Sequence, residues 1–161
     1  MQHLFSFCAA LALLALLSST AVAQQAGDGP TCTAPVGTWQ NNMGSILVIE
    51  SLDAATGMLE GKYKSASGTD AVGYPLIGWL NDATVSPDNP CKDCKGDHAT
   101  AYAFTVRWGD IGSITAWTGT CAVVDGQPTL TTGWDLVRPN SSYSWDHTVT
   151  GNATFVPMNN R

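Results

Sequence analysis

The feature of this sequence that most constrains its fold is a succession of about eight short strand-like segments, each bounded by turn residues. We place these strands at residues 36–42, 45–53, 57–66, 71–81, 99–108, 112–123, 128–137 and 148–157. The turns are rich in Gly, Asn, Asp and Pro, as in Asn42-Met43-Gly44 and Asp125-Gly126-Gln127-Pro128. Because most connections are too short for a crossover helix, neighbouring strands should pair antiparallel. The pattern predicts an all-β protein, either an eight-stranded antiparallel up-and-down β-barrel or an open sandwich.

One face of the predicted strands mixes large aromatic side chains with small polar ones, while the opposite face carries residues such as Lys62, Lys64, Arg107 and Thr118. The mixed face consists of Trp39, Asn41, Ser45, Leu47, Ile49, Leu59, Gly61, Tyr63, Ser65, Phe104, Val106, Trp108, Ser113, Thr115, Trp117, Thr132, Trp134 and Leu136. Buried polar groups need hydrogen-bond partners. A barrel of eight strands is just wide enough to hold one small ligand, so this face predicts an interior binding site.

The polar residues of this face favour a small amphipathic ligand. Asn41, Ser45 and Tyr63 each have a donor for one acceptor oxygen, and Ser65 has an acceptor for a ligand N–H. The tryptophans supply flat apolar walls that lose little conformational entropy on binding. Two other interpretations stay open at this point: hydroxyls that merely fill the barrel interior, and a lipocalin-like carrier of another small amphipathic molecule.

Composition and charge narrow the class of function. The net charge of −6 and a pI near 4.6 argue against nucleic-acid partners and anionic membranes. On one strand face there is no Ser–His–Asp arrangement, no pair of inward carboxylates and no set of metal ligands. We therefore expect a binding protein without catalytic residues and without a metal.

The chain divides into a secretory signal peptide at 1–23, a flexible leader at 24–35 and a barrel domain at 36–161. The signal consists of an apolar stretch from Phe7 to Leu17 and the small-residue cleavage site Ala21-Val22-Ala23, although no Lys or Arg precedes the stretch. The apolar stretch is too short to span a membrane comfortably. We expect a secreted, extracellular protein, or a periplasmic one in a bacterium.

Four cysteines follow the signal, namely Cys32, Cys91, Cys94 and Cys121. An even number in an exported chain indicates disulfides, with three possible pairings. Cys91 and Cys94 also have the spacing of half a zinc site or of a redox pair, but the other features of such sites are missing. They lie in the one long connection, 82–98, whose length favours a function or a disulfide.

At this stage the sequence resembles the avidin and streptavidin family over nearly all of the chain after the signal. The matching motifs are Gly37-Thr38-Trp39-Gln40-Asn41-Asn42-Met43-Gly44-Ser45, Leu59-Glu60-Gly61-Lys62-Tyr63-Lys64-Ser65-Ala66-Ser67-Gly68, Phe104-Thr105-Val106-Arg107-Trp108, Ser113-Ile114-Thr115-Ala116-Trp117-Thr118-Gly119, Trp134-Asp135-Leu136 and Trp145. The resemblance implies a biotin-binding barrel that assembles as a homotetramer.

The resemblance also implies a role for each matching residue toward biotin. Asn41, Ser45 and Tyr63 would surround the ureido oxygen, Ser65 would accept one ureido N–H, and Thr115 would face the thioether sulfur. The carboxylate would be held by Ser113 and by the loop at Ser67 and Gly68. The bicyclic ring of biotin would be enclosed by Trp108, Trp117, Trp134 and Leu136. Trp145 would cap the site of a neighbouring subunit. The disulfide implied is Cys32–Cys121, which leaves Cys91–Cys94 as a bridge within the long connection.

One position departs from the family pattern. The last strand of the family carries an Asp or Asn directed at the second ureido N–H, and the matching residue here is Ala153. Asn152 lies next to it, but the two-residue period turns Asn152 outward unless a β-bulge intervenes. The sequence therefore predicts biotin binding with one hydrogen bond fewer than the family pattern provides.

Overall fold

The computed structural model describes residues 29–67, 73–82 and 99–158. It contains eight strands: β1 (Gly37–Asn41), β2 (Ile46–Leu52), β3 (Met58–Lys64), β4 (Tyr74–Asn81), β5 (Thr100–Arg107), β6 (Ile114–Val124), β7 (Gln127–Val137) and β8 (Thr148–Pro157). A short 3₁₀ turn, Gly109–Ile111, lies between β5 and β6. Each strand pairs antiparallel with the next, and β8 pairs back with β1. The predicted up-and-down barrel is confirmed, and the open sandwich is excluded because no edge is left unpaired in this sheet.

Strand alternation sorts the side chains as the sequence predicts. Trp39, Leu47, Leu59 and Phe155 are almost wholly buried and fill the interior. Lys62, Lys64, Arg107 and Thr118 are exposed on the outside. One irregularity interrupts the pairing of β2 with β3, between Ile49 and Ser51. No helix in the described part of the chain is long and apolar enough to cross a membrane.

One end of the barrel is closed by the residues that precede β1. Cys32 forms the predicted disulfide with Cys121, with a Cα–Cα distance of 5.4 Å. The indole N–H of Trp39 donates to the carbonyl of Pro35 at 3.0 Å, and the Tyr102 hydroxyl donates to the carbonyl of Cys32. Residues 29–35, expected to be flexible, are thus held against the barrel. The end of the barrel opposite this closure opens into a cavity.

Several predictions fall on residues outside the described ranges. These are the signal peptide at 1–23, Gly68 of the predicted carboxylate loop, and Cys91 and Cys94 of the long connection.

Candidate functional site

A cavity of about 360 Å³ opens at the end of the barrel opposite the leader. Its lining consists of Met43, Ser45, Tyr63, Ser65, Ala66, Ser67, Trp108, Thr115, Trp117, Trp134 and Leu136. The volume suits one small molecule, and the walls are mostly apolar with a few polar groups. Nine of these eleven residues were predicted from the sequence. Met43 was missed because it sits in a turn where no strand period assigns a facing. Ala66 was missed because the predicted strand 57–66 turned it outward, whereas β3 ends at Lys64 and Ala66 lies in the turn that follows.

The polar end of the cavity is built around the turn between β1 and β2. Asn41 Oδ1 accepts from the backbone N–H groups of Met43, at 3.0 Å, and Ser45, at 2.8 Å. Its amide nitrogen Nδ2 lies 3.4 Å from the Tyr63 hydroxyl. Ser45 Oγ accepts from the backbone N–H of Ala66 at 3.1 Å. The turn therefore fixes the Asn41 amide with its carbonyl oxygen occupied and its nitrogen toward Tyr63.

These contacts correct one expectation from the sequence. The predicted burial of Asn41 and Ser45 favours a ligand that supplies their hydrogen-bond partners, but in the structure both side chains have partners within the protein. Their oxygens accept from backbone N–H groups, one hydrogen of Asn41 Nδ2 goes to the Tyr63 hydroxyl oxygen, and the Ser45 side chain is also hydrogen-bonded with Tyr63. The second Nδ2 hydrogen and the Tyr63 hydroxyl hydrogen are left for a ligand. Burial raises the pKa of the Tyr63 hydroxyl and a hydrogen bond with Ser45 lowers it by less, so this group stays a protonated donor. The polar end therefore offers donors to an acceptor oxygen.

Aromatic rings form the walls next to this polar end. The Tyr63 ring centroid is 4.8 Å from that of Trp117 and 5.8 Å from that of Trp108. Phe104 stacks on the far side of Trp117, at 5.0 Å. Trp108 Nε1 donates to Thr115 Oγ1 at 2.7 Å, which fixes the orientation of this indole. Contacts within the protein therefore fix the orientation of the Tyr63, Trp108 and Trp117 rings.

The Trp117 indole N–H is buried and has no hydrogen-bond partner among the described residues. Ala153, at the position where the family carries its acceptor, is 1% exposed and has no polar side-chain atom. β7 and β8 pair in continuous register through Thr132–Ala153 and Gly133–Asn152, so no bulge turns Asn152 inward. Neither Asn152 nor Ala153 therefore offers a side-chain acceptor inside the barrel, either to the Trp117 indole N–H or to a ligand N–H.

A second polar group lies where β3 ends. Ser65 Oγ and Ser67 Oγ are 3.0 Å apart, and the backbone N–H of Ser67 points to Ser65 Oγ at 3.4 Å. Both serines line the cavity. Ser113 is 4% exposed but does not belong to the lining. The structure thus brings Ser65 and Ser67 together at the cavity, whereas Ser113 and Asn41, which is 5% exposed, do not belong to its lining.

Trp145 stands apart from the cavity of its own barrel. It is 76% exposed in the loop between β7 and β8 and stacks on Tyr143, with ring centroids 4.9 Å apart. The prediction that this residue caps a neighbouring subunit's site concerns an assembly that a single chain does not contain.

A closed eight-stranded barrel with donors at the base of an aromatic cavity defines a protein that encloses a small ligand. Within residues 29–67, 73–82 and 99–158, no group of three or more His, Cys, Asp or Glu side chains is placed to hold a metal ion. A model of the avidin family matches residues 29–158, and this chain belongs to that family. The family resemblance seen in the sequence is confirmed.

Individual relatives agree with this assignment. Avidin-related protein 4/5 of Gallus gallus is 30% identical over 150 residues, which cover 91% of this chain and 91% of that protein. Afifavidin of Afifella pfennigii is 29% identical over 154 residues, or 88% of this chain and 85% of its own. The crystal structure of xenavidin has a TM-score of 0.57 and 30% identity, covering 76% of this chain and 96% of that chain. An X-ray structure of a biotin binding protein from chicken has a TM-score of 0.60 and 25% identity, covering 77% and 95%.

Proposed function

We propose that this protein binds biotin inside its barrel and catalyses no reaction. The observation that carries the proposal is the polar cluster of Asn41, Ser45 and Tyr63: Ser45 and Tyr63 line an aromatic cavity, and Asn41 is hydrogen-bonded to both. Hydrogen-bond donors that converge on one point suit a polarised carbonyl oxygen such as that of a cyclic urea. Membership in the avidin family and the likeness to a chicken biotin binding protein support this choice of ligand.

The remaining contacts follow from the lining of the cavity and from the family motifs. Ser65 would accept one ureido N–H, and Ser67 with Gly68 and Ser113 would receive the carboxylate. Thr115 would face the sulfur, although its hydroxyl oxygen already accepts from Trp108. The ring would lie between the apolar walls, which consist of Trp108, Trp117, Trp134 and Leu136.

A lipocalin-like carrier of another small amphipathic ligand is the second candidate. The donor cluster argues against a purely apolar ligand, because its free hydrogens would lose a water partner without gaining another.

Secretion is a further part of the proposal. It is supported by the apolar stretch and the cleavage site of the segment 1–23.

We also propose that the protein is a homotetramer in which Trp145 caps a neighbour's cavity. The exposed outward side chains of β6, β7 and β8 carry one charge, on Asp135, whereas those of β2 to β5 include Glu50, Glu60, Lys62, Lys64 and Arg107. A face with few charges and an exposed aromatic pair beside it is typical of a subunit interface.

A biotin titration tests the binding proposal. Tryptophan fluorescence should change and saturate at one biotin per chain, because three tryptophans line the cavity. A ligand that binds only the folded state stabilises it by about 4 kcal/mol at a thousandfold excess over Kd, so the melting temperature should rise. Unchanged fluorescence and melting temperature at saturating biotin would overturn the proposal. A response to other amphipathic ligands but not to biotin would favour the lipocalin-like alternative.

A further inference from the structure

The loop between β7 and β8, residues 138–147, is closed at its base by a network of hydrogen bonds; we call it the lid loop. The backbone N–H of Arg138 donates to the His147 carbonyl at 2.9 Å, and His147 Nδ1 lies 2.9 Å from the Arg138 carbonyl. Arg138 Nε donates to the Asp146 carbonyl at 3.0 Å, and the same guanidinium forms an ion pair with the Asp146 carboxylate. Arg138 therefore joins the two ends of the loop through both backbone and side chain.

From this base the network extends to the tip of the loop. Ser141 Oγ lies 3.3 Å from the Asp146 carboxylate, and the backbone N–H of Tyr143 donates to Ser141 Oγ at 3.3 Å. The backbone N–H of Asp146 donates to the Tyr143 carbonyl at 3.0 Å. These bonds fix the chain on both sides of Trp145. The Trp145 ring then stacks nearly parallel to Tyr143, with 8° between the ring planes.

The arrangement holds two large aromatic rings in water, since Tyr143 is 59% and Trp145 is 76% exposed. Flat stacking buries one face of each ring and leaves the outer face of the indole free. A lone exposed Trp on a flexible loop would sample many orientations, and ordering it on contact would oppose binding. A hydrogen-bond network that orders Trp145 before contact removes this entropic cost.

We propose that Arg138 and Asp146 are positioning residues for biotin retention: they hold the lid loop so that Trp145, stacked on Tyr143, is already oriented to cover a neighbouring subunit's cavity. This rests on the proposed function, in which Trp145 is that cover. The ion pair is one-third exposed at each partner, so its contribution to overall stability is small. Its effect should appear in the rate of release, because differences among variants of one site fall mostly on dissociation.

The central experiment compares biotin release from the wild type and from Arg138→Met, which keeps the side-chain length but removes the charge and the donors. We expect release to accelerate about fivefold, the upper end for the loss of a partly exposed ion pair, with association unchanged. Arg138→Lys, which keeps the charge opposite Asp146, should fall between the two. Lys62→Met is the matched control, because it removes an exposed ion pair, with Glu50, on the side of the barrel formed by β2 and β3.

A double-variant comparison separates positioning from a general structural role. In a Trp145→Ala background there is no indole to orient, so Arg138→Met should add almost nothing to the release rate. Additive effects of the two substitutions would overturn the inference, as would unchanged release from Arg138→Met in the wild-type background. Absence of biotin binding by the wild type would instead refute the proposed function, and unchanged release from Trp145→Ala alone would refute the cover itself.

Discussion

Tyr63 links the polar and the apolar parts of the cavity. Its hydroxyl meets the Asn41 amide, and its ring packs against Trp108 and Trp117. Replacing Tyr63 by Phe keeps the packing and removes one donor, so biotin affinity should fall by about 1–3 kcal/mol. Calorimetric titration measures the change. Tyr74→Phe deletes the same group on the neighbouring strand, outside the cavity lining, and should leave affinity unchanged; equal losses from both would mean that the Tyr63 hydroxyl is not a ligand donor.

Ala153 is the residue at which this chain lacks an inward acceptor on β8. Ala153→Asn would place an amide oxygen in the cluster that holds the unpartnered Trp117 N–H. We expect about tenfold tighter biotin binding, because one acceptor becomes available to a ligand N–H. Asn152→Ala, the adjacent outward position, should have no effect. Competition against labelled biotin measures the affinities of both variants. Weaker binding by Ala153→Asn would mean that the site has no room for the larger side chain.

At the scale of the elements, strand positions were predictable because period-two alternation and turn residues are local properties of the sequence. The facing of Trp39, Tyr63 and Trp117 follows from the same period. Turn residues have no such period, which is why Met43 was missed, and Ala66 was missed because the predicted third strand extended two residues beyond the end of β3. The hydrogen-bond partners of Asn41 and Ser45 within the protein could not be predicted from the sequence either. They are backbone N–H groups that only the folded β1–β2 turn and the end of β3 bring close.

The leader and β6 are joined by the Cys32–Cys121 disulfide, whose partners lie 89 residues apart in sequence. Replacing both cysteines with Ala removes a constraint on the unfolded chain worth about 4–5 kcal/mol in the chain-entropy model. We expect a corresponding fall in the free energy of unfolding, measured by denaturant titration. Biotin affinity should change little, because the disulfide lies at the end of the barrel opposite the cavity. A double variant as stable as the wild type would show that the other leader contacts, such as Trp39 to Pro35, suffice.

At the scale of the whole molecule, charge is distributed unevenly around the barrel. The side formed by β2 and β3 carries Glu50 and Lys62 as an exposed ion pair 2.7 Å apart. The side formed by β6, β7 and β8 presents mostly hydroxyl, small and aliphatic side chains with one charge, on Asp135, and the lid loop begins where β7 ends. A face suited to another subunit thus lies next to the aromatic pair that would reach into that subunit's cavity.

This distribution predicts where a charge would disrupt assembly. Light scattering of the wild type should give a mass near four chains, and Thr131→Glu, on the outside of β7, should lower it because a second carboxylate on the strand that already carries Asp135 would lose its hydration in the interface without a partner. Biotin release should accelerate in the same variant, since each cavity loses the neighbouring Trp145. Ser51→Glu places the same charge on the outside of β2 and should change neither mass nor release. A wild-type monomer, or a Thr131→Glu variant with unaltered mass, would contradict the interface assigned to β6, β7 and β8.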